Sequence, residues 1–209
     1  MTNNAEVAKI NMIKQQMRPW EVLDSQVLAV INEIDRHDFV EDRYRGLAYA
    51  DCAIPISEGA SMLPPTIEGR LLQALLITEN DKILEIGSGC GYITACLAKL
   101  GKQVHSIDIS AEALIRAKKN TDAYSLENIE YEQANAFDCE FDQAFDVIAV
   151  GASVGQVPEN LKLALAIGGR MFVITGHSPV MQALLITRTS ISGWTTQSLF
   201  ETDVPALVR

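Results

Sequence analysis

The 209-residue chain is long enough for one domain, and a composition of 48% hydrophobic and 21% charged residues is typical of globular proteins. Its formal net charge of −10, with no basic stripe, argues against nucleic acid and anionic membranes as partners. No apolar run approaches the ~20 residues that span a bilayer, and the polar N-terminus has no apolar signal core. We therefore expect a soluble, cytoplasmic protein.

The cysteines and histidines are scattered along the chain. No pair of cysteines has C-x-x-C spacing, and no histidines have the spacing of metal ligands. We therefore expect reduced, mostly buried thiols and no metal site. The residues concerned are Cys52, Cys90, Cys96, Cys139, His37, His105 and His177.

The first 80 residues predict helices interrupted by one long loop. Apolar positions between Val22 and Ile34 fall on one helical face, and Asp24 or Ser25 can cap the start of that helix. The segment 53–65 is rich in proline and glycine, and its length is typical of a functional loop. A second helix is expected from about Ile67 to Ile77.

The rest of the chain alternates short β-rich runs with helical runs, which is typical of βαβ units and a parallel sheet. Two final strands around a turn at Ser192-Gly193 predict an antiparallel hairpin. We expect a single α/β domain over 1–209, with N-terminal helices and the loop in 1–80 and a Rossmann-like core in 81–209. The predicted strands are 82–86, 104–107, 128–131, 145–150, 170–174, 181–189 and 195–200; the predicted helices are 92–100, 111–123 and 159–165.

Three glycines at alternate positions follow the first of these strands. Gly87, Gly89 and Gly91 let the backbone turn tightly and approach a ligand at a helix N-terminus. In the dinucleotide fingerprint the third glycine comes one position later, where this chain has Tyr92. With Glu85 two positions earlier, E-x-G-x-G-x-G resembles the first motif of class I methyltransferases. The turn, including Ser88, is expected to hold the methionine carboxylate of S-adenosylmethionine, and Glu85 its ammonium group.

Two further strand ends complete the predicted cofactor site. Asp108 ends the second strand, where an acid accepts hydrogen bonds from ribose hydroxyls. Asn135 follows the third strand, and its side-chain oxygen is expected to accept from the adenine amine. Their neighbours Ile109 and Ala136 are expected to contact the same cofactor. These positions together predict a class I methyltransferase sandwich that binds S-adenosylmethionine.

The flanking sequence is similar to the protein-L-isoaspartate O-methyltransferase family over nearly the whole chain. The resemblance implies methylation of isomerised aspartyl carboxylates in damaged proteins. Its N-terminal part is not common to methyltransferases generally. The matching stretches are 12–18, 36–40, 47–51, 54–56, 84–89, 145–148 and 168–170.

One departure from the family pattern matters for the chemistry. The family's substrate loop reads G-x-T-[IV]-S-x-P, and in the segment from Gly59 to Pro65 this chain has Ser61 at the Thr position and Leu63 at the Ser position. A leucine neither orients a carboxylate nor donates a hydrogen bond. This departure predicts weak or absent activity on an isoaspartyl peptide.

The chemistry that the resemblance implies needs no strong base, because a carboxylate is already ionised at neutral pH and attacks the sulfonium methyl in line. Ser61 and Thr66 are the candidates for holding the acceptor, and a general-base role for His177 is an alternative. Three hypotheses stay open: an isoaspartyl-type carboxyl methyltransferase acting on a protein or peptide, a methyltransferase of the same descent with another acceptor such as a small molecule, and a cofactor-binding protein without catalysis.

Overall fold

The computed structural model describes residues 4–57, 59–142 and 144–208. Its N-terminal part is helical: α1 (Asn4–Asn11) runs into a π-helical turn, and α2 (Ser25–Glu33) follows. Asp24, not Ser25, caps α2, because its carboxylate accepts from the backbone N–H groups of Gln26 and Val27. Two short 3₁₀ helices, Arg36–Phe39 and Asp42–Leu47, then lead towards the sheet.

The segment predicted as a loop contains a small hairpin. Strand β1 (Ile54–Ser57) pairs antiparallel with β2 (Ala60–Met62), and this two-stranded sheet is separate from the main one. Helix α3 (Pro65–Ala74) begins directly after it, two residues earlier than predicted, with a proline in its first turn. The loop prediction was therefore wrong for strands β1 and β2.

A seven-stranded sheet forms the centre of the molecule, with the order β5-β4-β3-β6-β7-β8-β9. The first five in that order pair in parallel, and β8 and β9 extend the sheet antiparallel. The predicted α/β class, mostly parallel sheet and C-terminal antiparallel strands are confirmed. These strands are β3 (Lys82–Ile86), β4 (Gln103–Asp108), β5 (Ile129–Gln133), β6 (Phe145–Val154), β7 (Leu165–His177), β8 (Val180–Ser190) and β9 (Gly193–Thr202).

Three helices connect the parallel strands: α4 (Tyr92–Leu100), α5 (Ala111–Asp122) and α6 (Glu159–Ala164). The central strands β3 and β6 are buried at most positions on both faces, which explains why most of their residues are apolar. Apolar side chains on one sheet face pack with the N-terminal helices and α4, and those on the other face pack with α6. The sheet therefore has a covered core on each side.

Strand β7 is longer than predicted. The glycines Gly168-Gly169 were expected before the strand, but they lie inside it as a bulge. Phe145 pairs with Leu165 whereas Val147 pairs with Arg170, so the residues between lose register. Gly168 has φ +86°, a conformation that favours glycine.

The four cysteines carry free thiols. Burial raises the pKa of Cys90 to about 11, so this thiol stays protonated at neutral pH. Within residues 4–57, 59–142 and 144–208, no helix is both long enough and apolar enough to cross a membrane.

Candidate active site

A cavity of about 250 Å³ lies at the carboxyl ends of the parallel strands. From β3 the chain proceeds outward to β4 and β5, whereas β6 and β7 lie on the other side of β3. Ligands of open α/β sheets bind at such a reversal of strand order. The predicted cofactor residues that line this cavity are Gly87, Gly89, Asp108, Ile109, Asn135 and Ala136.

The glycine turn forms one wall. Gly87 and Gly89 face the cavity, with φ +89° and +54°. Gly91, with φ +87°, lies behind the turn, where a Cβ would come within 2.9 Å of the Cα and carbonyl oxygen of Ala117. Gly91 therefore serves the packing of α4 against α5, and Gly87 and Gly89 serve access to the ligand.

Asp108 connects the turn to the next strand. Its carboxylate accepts hydrogen bonds from the backbone N–H of Gly89 at 3.1 Å and of Ser110 at 2.9 Å. The side chain also lines the cavity. Asp108 is thus placed both to meet a ligand hydroxyl and to hold the glycine turn in place.

Asn135 lines the same cavity beyond the end of β5. Its side-chain oxygen accepts from the backbone N–H of Phe137 at 3.1 Å, and its amide donates to Asp138 at 2.6 Å. These two bonds fix the orientation of the amide. A carbonyl oxygen has two lone pairs, so one acceptor position remains for a ligand amine.

Glu85 and Ser88 are not among the residues that line the cavity. Glu85 is buried and accepts hydrogen bonds from Thr94 at 2.6 Å and from Ser106, which also bonds Ser88 at 2.7 Å. Burial raises the pKa of Glu85 to about 7, although the two hydroxyl hydrogen bonds lower it. In this structure the acid joins β3, β4 and α4 behind the glycine turn.

The hairpin forms the opposite wall. Ser57, Ser61 and Leu63 line the cavity, and the Leu63 side chain is only 5% exposed. Thr66 is buried at the start of α3, where its hydroxyl donates to Asp51 at 2.7 Å. Ser61 therefore lies at the cavity, whereas Thr66 does not line it and stabilises the adjoining segment through its bond to Asp51.

Arg36 was given no role by the sequence, and it proves central to this wall. Its guanidinium donates to the Glu68 carboxylate at 2.9 Å, to the Ala48 carbonyl at 2.7 Å and to the Leu63 carbonyl. Burial lowers the pKa of Arg36, but the Glu68 carboxylate raises it more, so the group stays charged. The only sequence signal was its place in the matched stretch 36–40.

The C-terminal segment supplies a third wall that the sequence did not reveal. Residues 205–208 line the cavity, and Ser153 holds them through its backbone: it donates to the Pro205 carbonyl at 3.0 Å and accepts from Leu207 at 2.7 Å. His177 lies in a second cavity on the other side of this segment and is not among the residues that line the first.

The geometry fits an adenosyl amino acid. Left-handed glycines leave backbone atoms open to a carboxylate, Asp108 offers an acceptor for hydroxyls, and Ile109 and Ala136 provide apolar surface for a flat ring. Gly151 adds space, because a Cβ there would lie 3.2 Å from the Gly87 carbonyl oxygen.

Comparison with known proteins supports the interpretation of this cavity as the site of an adenosyl amino acid. The family model for protein-L-isoaspartate(D-aspartate) O-methyltransferase matches residues 7–199. A protein-L-isoaspartate O-methyltransferase of Koribacter versatilis is 39% identical over 86% of this chain and 81% of its own. One of Gloeobacter violaceus is 31% identical over 95% and 97%. A Plasmodium falciparum structure of this type, in complex with S-adenosyl-L-homocysteine, matches with a TM-score of 0.82 at 21% identity over 99% of both chains.

Proposed function

Because the chain belongs to the protein-L-isoaspartate O-methyltransferase family, we propose that it transfers a methyl group from S-adenosylmethionine to the carboxylate of isoaspartyl residues in proteins. One observation carries the proposal: the glycine turn and the hairpin line a single cavity. A methyl donor on one wall and an acceptor on the other would meet there without further rearrangement.

S-Adenosylmethionine is the methyl donor of this enzyme family, and when bound it supplies an electrophilic methyl on a sulfonium. Gly87 and Gly89 would hold its carboxylate, Asp108 its ribose and Asn135 its adenine, with Ile109 and Ala136 against the ring. Glu85 and Ser88 would act through the shape of the turn, because they are not among the residues that line the cavity.

The acceptor needs orientation more than activation. An aspartyl-type carboxyl group has a pKa of about 4, so it is ionised at neutral pH and no proton has to be removed. Ser57 and Ser61 provide hydroxyls that would hold one carboxylate oxygen while the other attacks. Leu63 and Ile56 provide apolar surface that keeps water from the reacting centre.

Leu63 favours a second candidate, a methyltransferase of the same descent with a different acceptor. Its buried side chain lines the cavity at the position where the resemblance leads us to expect serine, and an apolar surface disfavours a charged group that lacks a donor. A less polar acceptor, on a small molecule or a protein, would suit this wall better.

The test is methyl transfer from tritiated S-adenosylmethionine. The acceptors are an isoaspartyl peptide, the same peptide with normal aspartate as the matched control, and a protein-free and a protein fraction of a cell extract. Label in the isoaspartyl peptide but not in the aspartate control supports the first proposal, whether or not the protein fraction is also labelled. Label only in an extract fraction supports the second. Cofactor binding without transfer to any acceptor would contradict both and favour a protein that binds without catalysis.

A further inference from the structure

Helix α5 contacts both walls of the cavity through neighbouring residues. Ala117 packs against Gly91 of the glycine turn, and Asn120 donates a hydrogen bond to the Cys90 carbonyl at 2.9 Å. One position before Ala117, Arg116 donates to the carbonyl of Ile56 in β1 at 2.7 Å. The same helix is therefore fixed to the glycine turn and hydrogen-bonded to the hairpin.

The hairpin has few other attachments. Its strands hydrogen-bond to each other and not to the seven-stranded sheet. Among the residues that the structure describes, the Arg116–Ile56 bond is the one hydrogen bond between strands β1 and β2 and another element. Buried side chains at Ile54 and Met62 provide the remaining hold by packing.

Ile56 also contacts the other wall directly. Its Cδ1 atom would lie 3.3 Å from a Cβ on Gly89, so the side chain rests on the glycine turn. Ile56, Ser57 and residues 59–61 line the cavity. The hydrogen bond to the Ile56 carbonyl therefore determines how closely the hairpin covers a ligand in the cavity.

We infer that Arg116 is a positioning residue that fastens the hairpin over the bound cofactor and thereby sets the rate at which the cofactor and its demethylated product leave. A guanidinium bound to one backbone carbonyl is a strong, breakable contact. The hairpin opens when this bond breaks and the Ile56 side chain leaves the glycine turn. The inference rests on the proposed function only for the identity of the ligand.

The experiment compares three variants. Arg116→Met removes the donor but keeps an unbranched chain, and Arg116→Lys keeps one donor. Lys119→Met is the matched control, since Lys119 is exposed on the same helix and the change in net charge is the same. Each protein is loaded with tritiated S-adenosylhomocysteine and chased with unlabelled ligand, and amide hydrogen exchange of residues 54–62 is measured without ligand.

We expect Arg116→Met to release the ligand about tenfold faster, which corresponds to ~1.4 kcal/mol. Exchange in the hairpin should also accelerate, with an intermediate effect for Arg116→Lys and none for Lys119→Met. Release and exchange at wild-type rates in Arg116→Met would overturn the inference. If wild type binds no ligand, the proposed methyl donor is wrong, and unchanged hairpin exchange in Arg116→Met would still overturn the role of Arg116 separately.

Discussion

The glycine turn forms one wall of the cavity, the cofactor wall, which rests on β3, β4 and α5. The hairpin forms the opposite wall, the acceptor wall, which is separate from the main sheet and rests on short 3₁₀ helices. The cofactor wall is held by the ladder of the main sheet and by hydrogen bonds between neighbouring elements. The acceptor wall is held by the buried guanidinium of Arg36, by the bond from Arg116 to Ile56 and by packing. One half of this site is therefore fixed by regular secondary structure and the other by individual side chains.

Arg36 provides the strongest test of that comparison. Arg36→Met leaves the Glu68 carboxylate buried without its partner, so we expect a loss of about 3–5 kcal/mol in the free energy of unfolding. The double variant Arg36→Met/Glu68→Leu should recover part of this loss, since no charge is then left unpaired. Urea unfolding of both variants measures the difference. A loss below about 1 kcal/mol in the single variant would show that the acceptor wall does not depend on this ion pair.

Glu85 allows a test of the cofactor wall through the pH dependence of the free energy of unfolding. Its pKa of about 7 in the folded protein exceeds the ordinary value, so between about pH 4.5 and 7 the folded state binds more protons than the unfolded state. The Glu85 contribution to stability is therefore full at low pH and is lost as the pH rises towards 7. At about 1.4 kcal/mol per pKa unit, this loss amounts to a few kcal/mol.

Glu85→Gln keeps the shape and removes the titration. We expect the difference in unfolding free energy between variant and wild type to shift in favour of the variant as the pH rises from 5 to 7. The exposed Glu112→Gln serves as the control. Parallel stability curves for Glu85→Gln and wild type would show that Glu85 is not held protonated.

Asp108 tests whether the turn and the ribose depend on one carboxylate. Asp108→Ala should weaken binding of S-adenosylhomocysteine by roughly 1–3 kcal/mol, because it removes a charged acceptor from the cavity. Asp108→Asn keeps an acceptor for the Gly89 N–H and should lose less. Calorimetry gives the affinities and thermal unfolding checks the fold. Unchanged affinity in folded Asp108→Ala would mean that other groups hold the ribose.

The cofactor half was predictable for the same reason that it is regular. The bounds of Lys82–Ile86 and Tyr92–Leu100 agree with the predictions, because each is a largely apolar run bounded by glycines or a turn. Asp108 could be placed because the carboxyl ends of parallel strands meet at one edge of the sheet. Thr66 and Glu85 were assigned to the cavity by sequence position alone, and position does not show which way a side chain points.

The acceptor half was less predictable. Strands β1 and β2 are four and three residues long, and Pro55 interrupts the pattern that reveals longer strands. The role of Arg36 depends on carbonyls 12 and 27 positions away, which no local pattern records. The C-terminal wall depends on backbone bonds to Ser153, and these leave no trace in side-chain periodicity.

Leu63 gives the smallest expected effect and the finest test of the acceptor wall. Its carbonyl is held by Arg36 while its side chain lines the cavity, so Leu63→Ser should place a hydroxyl at the cavity. An ideally placed donor is worth ~2.7–4 kcal/mol in a transition state. We expect less, about tenfold or ~1.4 kcal/mol, because the neighbours Met62 and Pro64 do not hold the new hydroxyl in an ideal orientation. Leu63→Ala is the matched control, since it opens the same space without a hydroxyl.

The measurement is methyl transfer to an isoaspartyl peptide by the three proteins, with S-adenosylhomocysteine affinity determined for each. A gain shared equally by the alanine and serine variants would mean that bulk, and not the missing donor, limits the reaction. Robust transfer by wild type would mean that Ser57, Ser61 or the backbone already supplies the donor.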